Sequence, residues 1–408
     1  LLDLLEKNKE YLNGNSNDLD RFLKDLDPRL HSLGYLYALH ARIDHSKSLS
    51  SKYENFLHNF ELFCVHFSRD QVVHCQNKFY KMLRSVSEWL LNAKMPQRGI
   101  RSFVYAIRGL AEEGEVTPAH QDLAKLALKS KCYGMVRSVI NQNQYTVNVS
   151  NTGIKPVDML LYNYYRGMLF IGLKEYGKAL NSFLISITTP SKVLHAAAIE
   201  AYKKYLLVSL KLHGKVIPLP SYTPPLVNKF VKKLTTPYQD LANAFSKYDI
   251  PKFAAFVEKH QEKFLKDQNL GLVNQVRTAL TRRIIQRLTS TYLTLSLQDI
   301  ADKALLASTE QAEIIILAMI EENEVFATID QKHGMVSFHE DVSQSETEHL
   351  LGRLRENMDS VLSLLDKVGN TNLDLAKSNK YLIKTIPLEE VALTEETTAA
   401  GKPTQKPQ

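Results

Sequence analysis

The sequence predicts a mainly α-helical protein: a helical-repeat solenoid, then a winged helix with a small β-hairpin wing, then a long C-terminal helix. Apolar residues recur at intervals of three and four from the start to about residue 290, which is the period of amphipathic helices. Past residue 324 a short stretch alternates apolar with polar, the period of strands. Residues 346–368 then carry an apolar seam of period 3.5.

The helices of the first part are expected in antiparallel pairs. Spans 79–94 and 97–110 flank Met95-Pro96, and 119–130 pairs with 133–142. Spans 159–172 and 175–188 carry Gly167, Phe170, Ala179 and Phe183 at the spacing of a tetratricopeptide (TPR) repeat, where small residues let two helices approach and aromatics fill the gap. No strict period links one pair to the next, so a degenerate, TPR-like solenoid is expected. It continues with 193–213 and 226–234, then 238–247 and 252–264. Residues 214–225 hold four prolines and must form an extended connector, and 145–156 reads as a loop.

After residue 290 the pattern changes. Ser296-Leu-Gln-Asp299 resembles a capping box and should start a helix to about residue 307; Ser308-Thr-Glu-Gln311 should start the next, to about 323. Val325, Ala327 and Ile329 alternate with polar neighbours, Lys332-His-Gly334 makes a turn, and Met335-Val-Ser-Phe-His339 returns as the second strand. In the last helix Leu351, Leu354, Met358, Val361, Leu365 and Val368 form the heptad seam. The expected boundaries are 1–265 for the repeats, 266–342 for the winged helix, 343–386 for the C-terminal helix and 387–408 for a tail too poor in apolar residues to fold. At the other end, Leu1-Leu-Asp-Leu-Leu-Glu-Lys7 reads as a helix start on a partial chain, not as a signal peptide.

Composition narrows the function. Cys64, Cys75 and Cys132 show no pairing signature, which fits a reducing cytosolic or nuclear compartment. The run Ile314–Ile320 is far shorter than the roughly 20 residues a bilayer requires. There is no Gly-x-Gly fingerprint, phosphate loop, Gly-x-Ser-x-Gly elbow, His-Glu-x-x-His or His-x-His, so the common nucleotide, hydrolase and zinc frames are missing. Cys64 near His66 and His74 beside Cys75 are the nearest approach to a thiol–imidazole couple, and such close neighbours do not share a helix face. A non-enzyme without cofactor or metal is expected.

A winged helix raises the question of DNA. A major-groove reader needs cations on its second helix, because phosphate neutralisation supplies most non-specific affinity. Residues 304–331 contain no Lys or Arg and hold Glu310, Glu313, Glu321, Glu322, Glu324 and Asp330. Arg277, Arg282, Arg283 and Arg287 on the preceding helix either form a solvated face, complement that acidic helix, or line a nucleic-acid groove. The net charge of +7 is modest for 408 residues. The balance favours a protein-assembly surface, and the open edge of the wing together with the heptad helix supplies one.

This order of parts resembles the PCI-domain family, shared by the proteasome lid, the COP9 signalosome and translation initiation factor three. The strings His31-Ser-Leu-Gly-Tyr-Leu-Tyr37, Arg98-Gly-Ile100, Glu200-Ala-Tyr-Lys-Lys-Tyr-Leu-Leu-Val-Ser-Leu210, Leu270-Gly-Leu-Val273, Gln286-Arg-Leu-Thr289, Tyr292-Leu-Thr-Leu-Ser-Leu-Gln-Asp-Ile-Ala301 and Gly334-Met-Val336 are similar to the signalosome's third-subunit family. His333 stands where that family commonly has Asp, and 140–155 and 341 onward match poorly. The resemblance implies a non-catalytic scaffold subunit of the complex that removes Nedd8 from cullins, present in cytoplasm and nucleus. It implies winged helices paired edge to edge and terminal helices bundled. Val325, Ala327, Ile329, Met335 and Ser337 would then face neighbouring subunits, the first and eighth, while Leu351, Leu354, Met358, Val361, Leu365 and Val368 enter the bundle. The alternatives are a proteasome-lid scaffold subunit and a nucleic-acid-binding winged helix.

Overall fold

The computed structural model describes residues 16–44, 53–112, 114–144, 146–191, 193–339, 345–379 and 381–382. The expected helix start at residues 1–7 and the tail from 387 lie outside them. Helices α1 (Ser16–Asp25), α2 (Ser32–Asp44) and α3 (Tyr53–His66) open the described chain, and their apolar faces meet where Tyr35 stacks on Phe63 at 5.5 Å between ring centroids. A short helix α4 (Arg69–Val72) and a 3₁₀ turn lead into α5 (Gln76–Asn92) and α6 (Pro96–Leu110), the first expected pair. Helix α7 (Pro118–Ser130) follows, started by Pro118 behind a cap in which the Thr117 N–H donates to His120 Nδ1 at 3.0 Å.

The expected partner helix over 133–142 does not form as one piece. It is a 3₁₀ turn (Gly134–Val136) joined to a single helical turn, α8 (Arg137–Ile140). Arg166 donates to the Ile140 carbonyl at 2.7 Å and the Gln142 carbonyl at 2.9 Å, so a distant side chain satisfies acceptors that a longer helix would satisfy itself. The expected loop over 145–156 is also corrected. It contains a short helix α9 (Val149–Thr152), capped by Asn148 and ended at Gly153 with φ 63°. An added Cβ at Gly153 would sit 1.9 Å from Asn77 Oδ1, so glycine is required twice over there.

Helices α10 (Pro156–Gly172) and α11 (Tyr176–Thr188) are the tetratricopeptide-like pair. Gly167 lies against Phe183, whose ring an added Cβ would meet at 2.5 Å. The structure reveals a second copy of this unit in α5 and α6. Both pairs turn through a left-handed lysine, Lys94 (φ 57°) and Lys174 (φ 61°). Both close with the same 6→1 bond, Met95 N–H to Leu90 O at 3.0 Å and Glu175 N–H to Phe170 O at 2.9 Å. Gly99, Ser102 and Phe103 are buried in α6 as Ala179, Ser182 and Phe183 are in α11. Their separation is no multiple of the tetratricopeptide period, which hid the repeat.

Helix α12 (Ala196–His213) ends at Gly214 with φ 70°, and the proline-rich connector leads irregularly to α13 (Pro225–Leu234). Helix α14 (Thr236–Ser246) is followed by α15 (Ile250–Lys259) and α16 (Gln261–Lys266), so the single helix expected over 252–264 breaks at His260. The break lets Phe264 meet the Tyr238 ring edge-on at 5.1 Å. One hydrophobic core runs from Leu19 through the repeats to Leu280 in α17 (Leu270–Thr289), the first helix of the winged helix. No described helix is long and apolar enough to cross a membrane. The described residues from Phe338 onward form a second compact unit.

Two buried polar networks stitch the helices. Arg84 reaches Asp158 at 2.9 Å, Asp122 at 3.4 Å and Gln121 at 3.1 Å, joining α5, α7 and α10. Burial pushes the Asp122 carboxyl up to about 6 against the pull of Arg84, and burial lowers the neighbouring His120 to about 4. The second network centres on Lys203 of α12, 2.6 Å from Glu200 and 2.8 Å from Asp267, with the Tyr238 hydroxyl donating to Asp267 at 2.7 Å.

Candidate functional site

The winged helix is built from α17, then strand β1 (Thr294–Ser296), α18 (Leu297–Lys303), α19 (Thr309–Glu321), and strands β2 (Ala327–Asp330) and β3 (Met335–Phe338). Both caps form where the sequence places them. Ser296 Oγ accepts from the Asp299 N–H at 3.0 Å, and Ser308 Oγ accepts from the Gln311 N–H at 3.3 Å. The helices bury Leu297, Ile300, Ala301, Ala312, Ile316 and Met319.

The expected hairpin forms from β2 and β3, and a third strand joins it. The sheet has three strands in the order β1-β3-β2, with Thr294, Leu295 and Ser296 antiparallel to Ser337, Val336 and Met335. Strand β3 is therefore central, and its backbone is taken on both sides. Met335 and Ser337 can offer a partner their half-exposed side chains but not a free ladder, so the open edges belong to β1 and β2. Val325 is corrected further. It lies before β2, is 5% exposed, and its N–H bonds the Met319 carbonyl at 3.4 Å; its side chain belongs to the core. Ala327 and Ile329 are half-buried on β2, while Thr328 and Asp330 point to solvent.

Three of the four arginines of α17, Arg282, Arg283 and Arg287, find partners within the chain. Arg282 pairs with Glu322 and lies 3.4 Å from Glu324, both beyond the end of α19. Arg283 donates to the Leu212 carbonyl at 2.8 Å, and the Arg287 guanidinium sits 4.5 Å over the Tyr248 ring. Of the alternatives open for these arginines, complementing the acidic segment is the arrangement Arg282 adopts. The helix that would enter a major groove presents Ile314 and Leu317, which are 65% and 46% exposed and share a face three residues apart. That apolar face went unread in the sequence because Ile314–Ile320 is apolar on every side; only tertiary packing decides which part of such a run turns outward.

The last helix, α20 (Ser345–Lys377), lies within the expected span 343–386 and continues past Val368, the last residue of the expected seam. All six seam residues, Leu351, Leu354, Met358, Val361, Leu365 and Val368, are between 48% and 64% exposed. Continuing the spacing by four and three reaches Asn372 and Leu375, so the seam acquires a polar position of the kind that fixes register in helical bundles. Leu350, Leu362 and Leu364 flank the seam, are also exposed, and widen the stripe beyond what a two-stranded coil buries.

Elsewhere Cys64 has structural surroundings. Cys64 is buried, and burial, with Glu61 adding to it, pushes its thiol well above the ordinary range, while His66 Nδ1 lies 3.2 Å from Arg29. Among the described residues no group of His, Cys, Asp or Glu could hold a metal ion.

Comparison with known proteins decides the family. The model for COP9 signalosome complex subunit 3 N-terminal helical repeats matches residues 1–227, and the PCI domain model matches 257–340. The COP9 signalosome complex subunit 3 of Dictyostelium discoideum is 36% identical over 93% of this chain and 91% of its own length. The chain belongs to the COP9 signalosome subunit 3 family. The Drosophila melanogaster protein of the same name is 31% identical over 99% of the chain and 95% of the relative. Two of the strings that carried the resemblance have structural roles. Within Glu200–Leu210 every residue from Ala201 to Leu210 is buried, and Lys203 centres the second network. Tyr292–Ala301 supplies strand β1, the Ser296 cap and the buried Leu295, Leu297 and Ile300 of a subunit 3 winged helix.

Proposed function

We propose that the chain is a non-catalytic scaffold subunit of the COP9 signalosome, the complex that removes Nedd8 from cullin–RING ubiquitin ligases in cytoplasm and nucleus. Its winged helix pairs through an open sheet edge with neighbouring subunits, the first and eighth, and α20 joins a bundle of terminal helices. The observation that carries this reading is α20 itself: a helix of 33 residues with all six seam residues exposed. Burial of each such side chain against partner helices contributes roughly 1.5–3 kcal/mol. The Arg282–Glu322 pairing and the exposed Ile314 and Leu317 favour a protein partner over phosphate for the winged helix.

Replacing Leu354, Met358 and Val361 together by Asp tests it. The lone chain should keep its circular dichroism and solubility, because these residues are exposed, yet should no longer co-sediment with the other signalosome subunits. Unchanged co-sedimentation refutes the bundle, and co-purification with proteasome particles instead of cullins refutes the complex.

A further inference from the structure

A groove of about 970 Å³ lies between the α5–α6 turn and the C-terminal half of α7. Its walls carry Lys94, Arg98, Lys125, Lys129 and Lys131 against one acid, Glu88. Charge of one sign concentrated in a groove focuses the field there and attracts an anionic partner. Arg98 lies 3.4 Å from the exposed Glu54, and Lys125 feels the buried Asp122. These acids leave a clear excess of positive charge.

Backbone groups add to it. Helix α6 begins at Pro96 with Met95 as its cap, so no side chain accepts from the first-turn amides, and no acid stands in that turn. An N-terminus of this length presents partial positive charge to the groove. The floor is apolar where Leu91, Met95 and Pro96 line it.

We infer that this groove binds an extended acidic peptide segment of a partner protein, with carboxylates at alternate positions. The spacing carries the choice of ligand. Lys125 and Lys129 are one helical turn apart, about 6 Å along α7, and alternate side chains of an extended strand repeat at roughly 6.6–6.8 Å. Successive carboxylates on one face of the strand therefore meet successive lysines, and the residues between them turn away or settle on Leu91 and Met95. A nucleic acid suits the groove less, because no Phe, Tyr or Trp lines it for base stacking and Arg98 is its one guanidinium.

Fluorescence anisotropy on the full chain tests this, using a labelled peptide in which glutamate alternates with small apolar residues. Saturable binding is expected, weakened about tenfold when Lys125 and Lys129 are both changed to Ser. The exposed Lys131 provides a check independent of folding: a Lys125→Glu, Lys129→Glu, Lys131→Glu variant should bind the matching lysine-alternating peptide and release the acidic one. Equal affinity for a peptide with its glutamates in one block overturns the spacing argument. Unchanged affinity of the double variant overturns the site, and tripolyphosphate binding in place of the peptide overturns the ligand class.

Discussion

Asp267 offers the most searching test of how the repeats are held to the winged helix. Its carboxylate receives Lys203 Nζ at 2.8 Å and the Tyr238 hydroxyl at 2.7 Å, and so ties α12 and α14 to the turn between α16 and α17. The Lys203 side chain is 9% exposed and that of Asp267 17%, which is enough burial for the pair to outlast screening. A charge-assisted hydrogen bond in such a place contributes about 1.5–3 kcal/mol, and breaking a fully buried pair costs about 3–5 kcal/mol. Lys203 keeps Glu200 at 2.6 Å when Asp267 is removed, so the lower figure applies: Asp267→Asn should cost about 2 kcal/mol. A double-mutant cycle with Lys203→Met should return a coupling of about 1.5 kcal/mol. Because stacked repeats unfold in pieces, the measurement is native-state hydrogen exchange of α12 and α14 amides, not a single melting temperature. Burial pushes the Asp267 carboxyl up, but the bonds from Lys203 and Tyr238 outweigh it and hold it below its ordinary value. Its contribution is therefore present above the ordinary carboxylate range and lost as pH falls through its lowered folded value. A coupling under about 0.5 kcal/mol, or a variant equally weakened at every pH, would refute the reasoning.

Other expectations follow from the same structure. Protonation of buried His120, lowered to about 4, costs stability as pH falls below 6.5, while protonation of Asp122, raised to about 6, returns it over nearly the same window. Asp122→Asn should uncouple them and leave a protein whose α7 loses roughly 3 kcal/mol of local stability between pH 6.5 and 4, seen by native-state hydrogen exchange of α7 amides; a profile parallel to the parent's would count against it. Gly167→Ala should lose about 1–2 kcal/mol, since overpacking against Phe183 outweighs the gain in helix propensity, while Gly177→Ala, with open space around it, should be neutral or slightly stabilising. Hydrogen-exchange protection of α10 and α11 that changes with the same sign in both variants would contradict this. Leu305 holds φ 52° and is 58% exposed, so Leu305→Gly should raise winged-helix stability by about 1 kcal/mol, and exchange rates in α18 and α19 report it.

Much of the candidate site was legible in the residues. Ser296 and Ser308 start their helices because a short hydroxyl followed by a free amide at the third position is a local arrangement, complete within four residues. The α20 seam was legible because period 3.5 persists over many turns. Strand β1 was not, since Thr294–Ser296 is too short to show alternation and exists only because β3 returns beside it. Val325 failed for the opposite reason: it continued the alternation of Ala327 and Ile329, yet the tight C-terminal turn of α19 draws it into the core.

The sequence by itself determined which stretches are helical, where they are capped, and that an acidic segment lacking Lys and Arg replaces the cationic helix of a DNA reader. Those properties arise from neighbours a few residues apart, whose energies the chain carries wherever it goes. Tertiary structure alone decided that β3 is the central strand, that Arg282 meets Glu322, that Arg166 ends the helix at Ile140, and that Lys94 of the α5–α6 turn and the lysines of α7 converge on one groove. Each of these joins groups far apart in the chain, and closure of the whole core is what sets their distance.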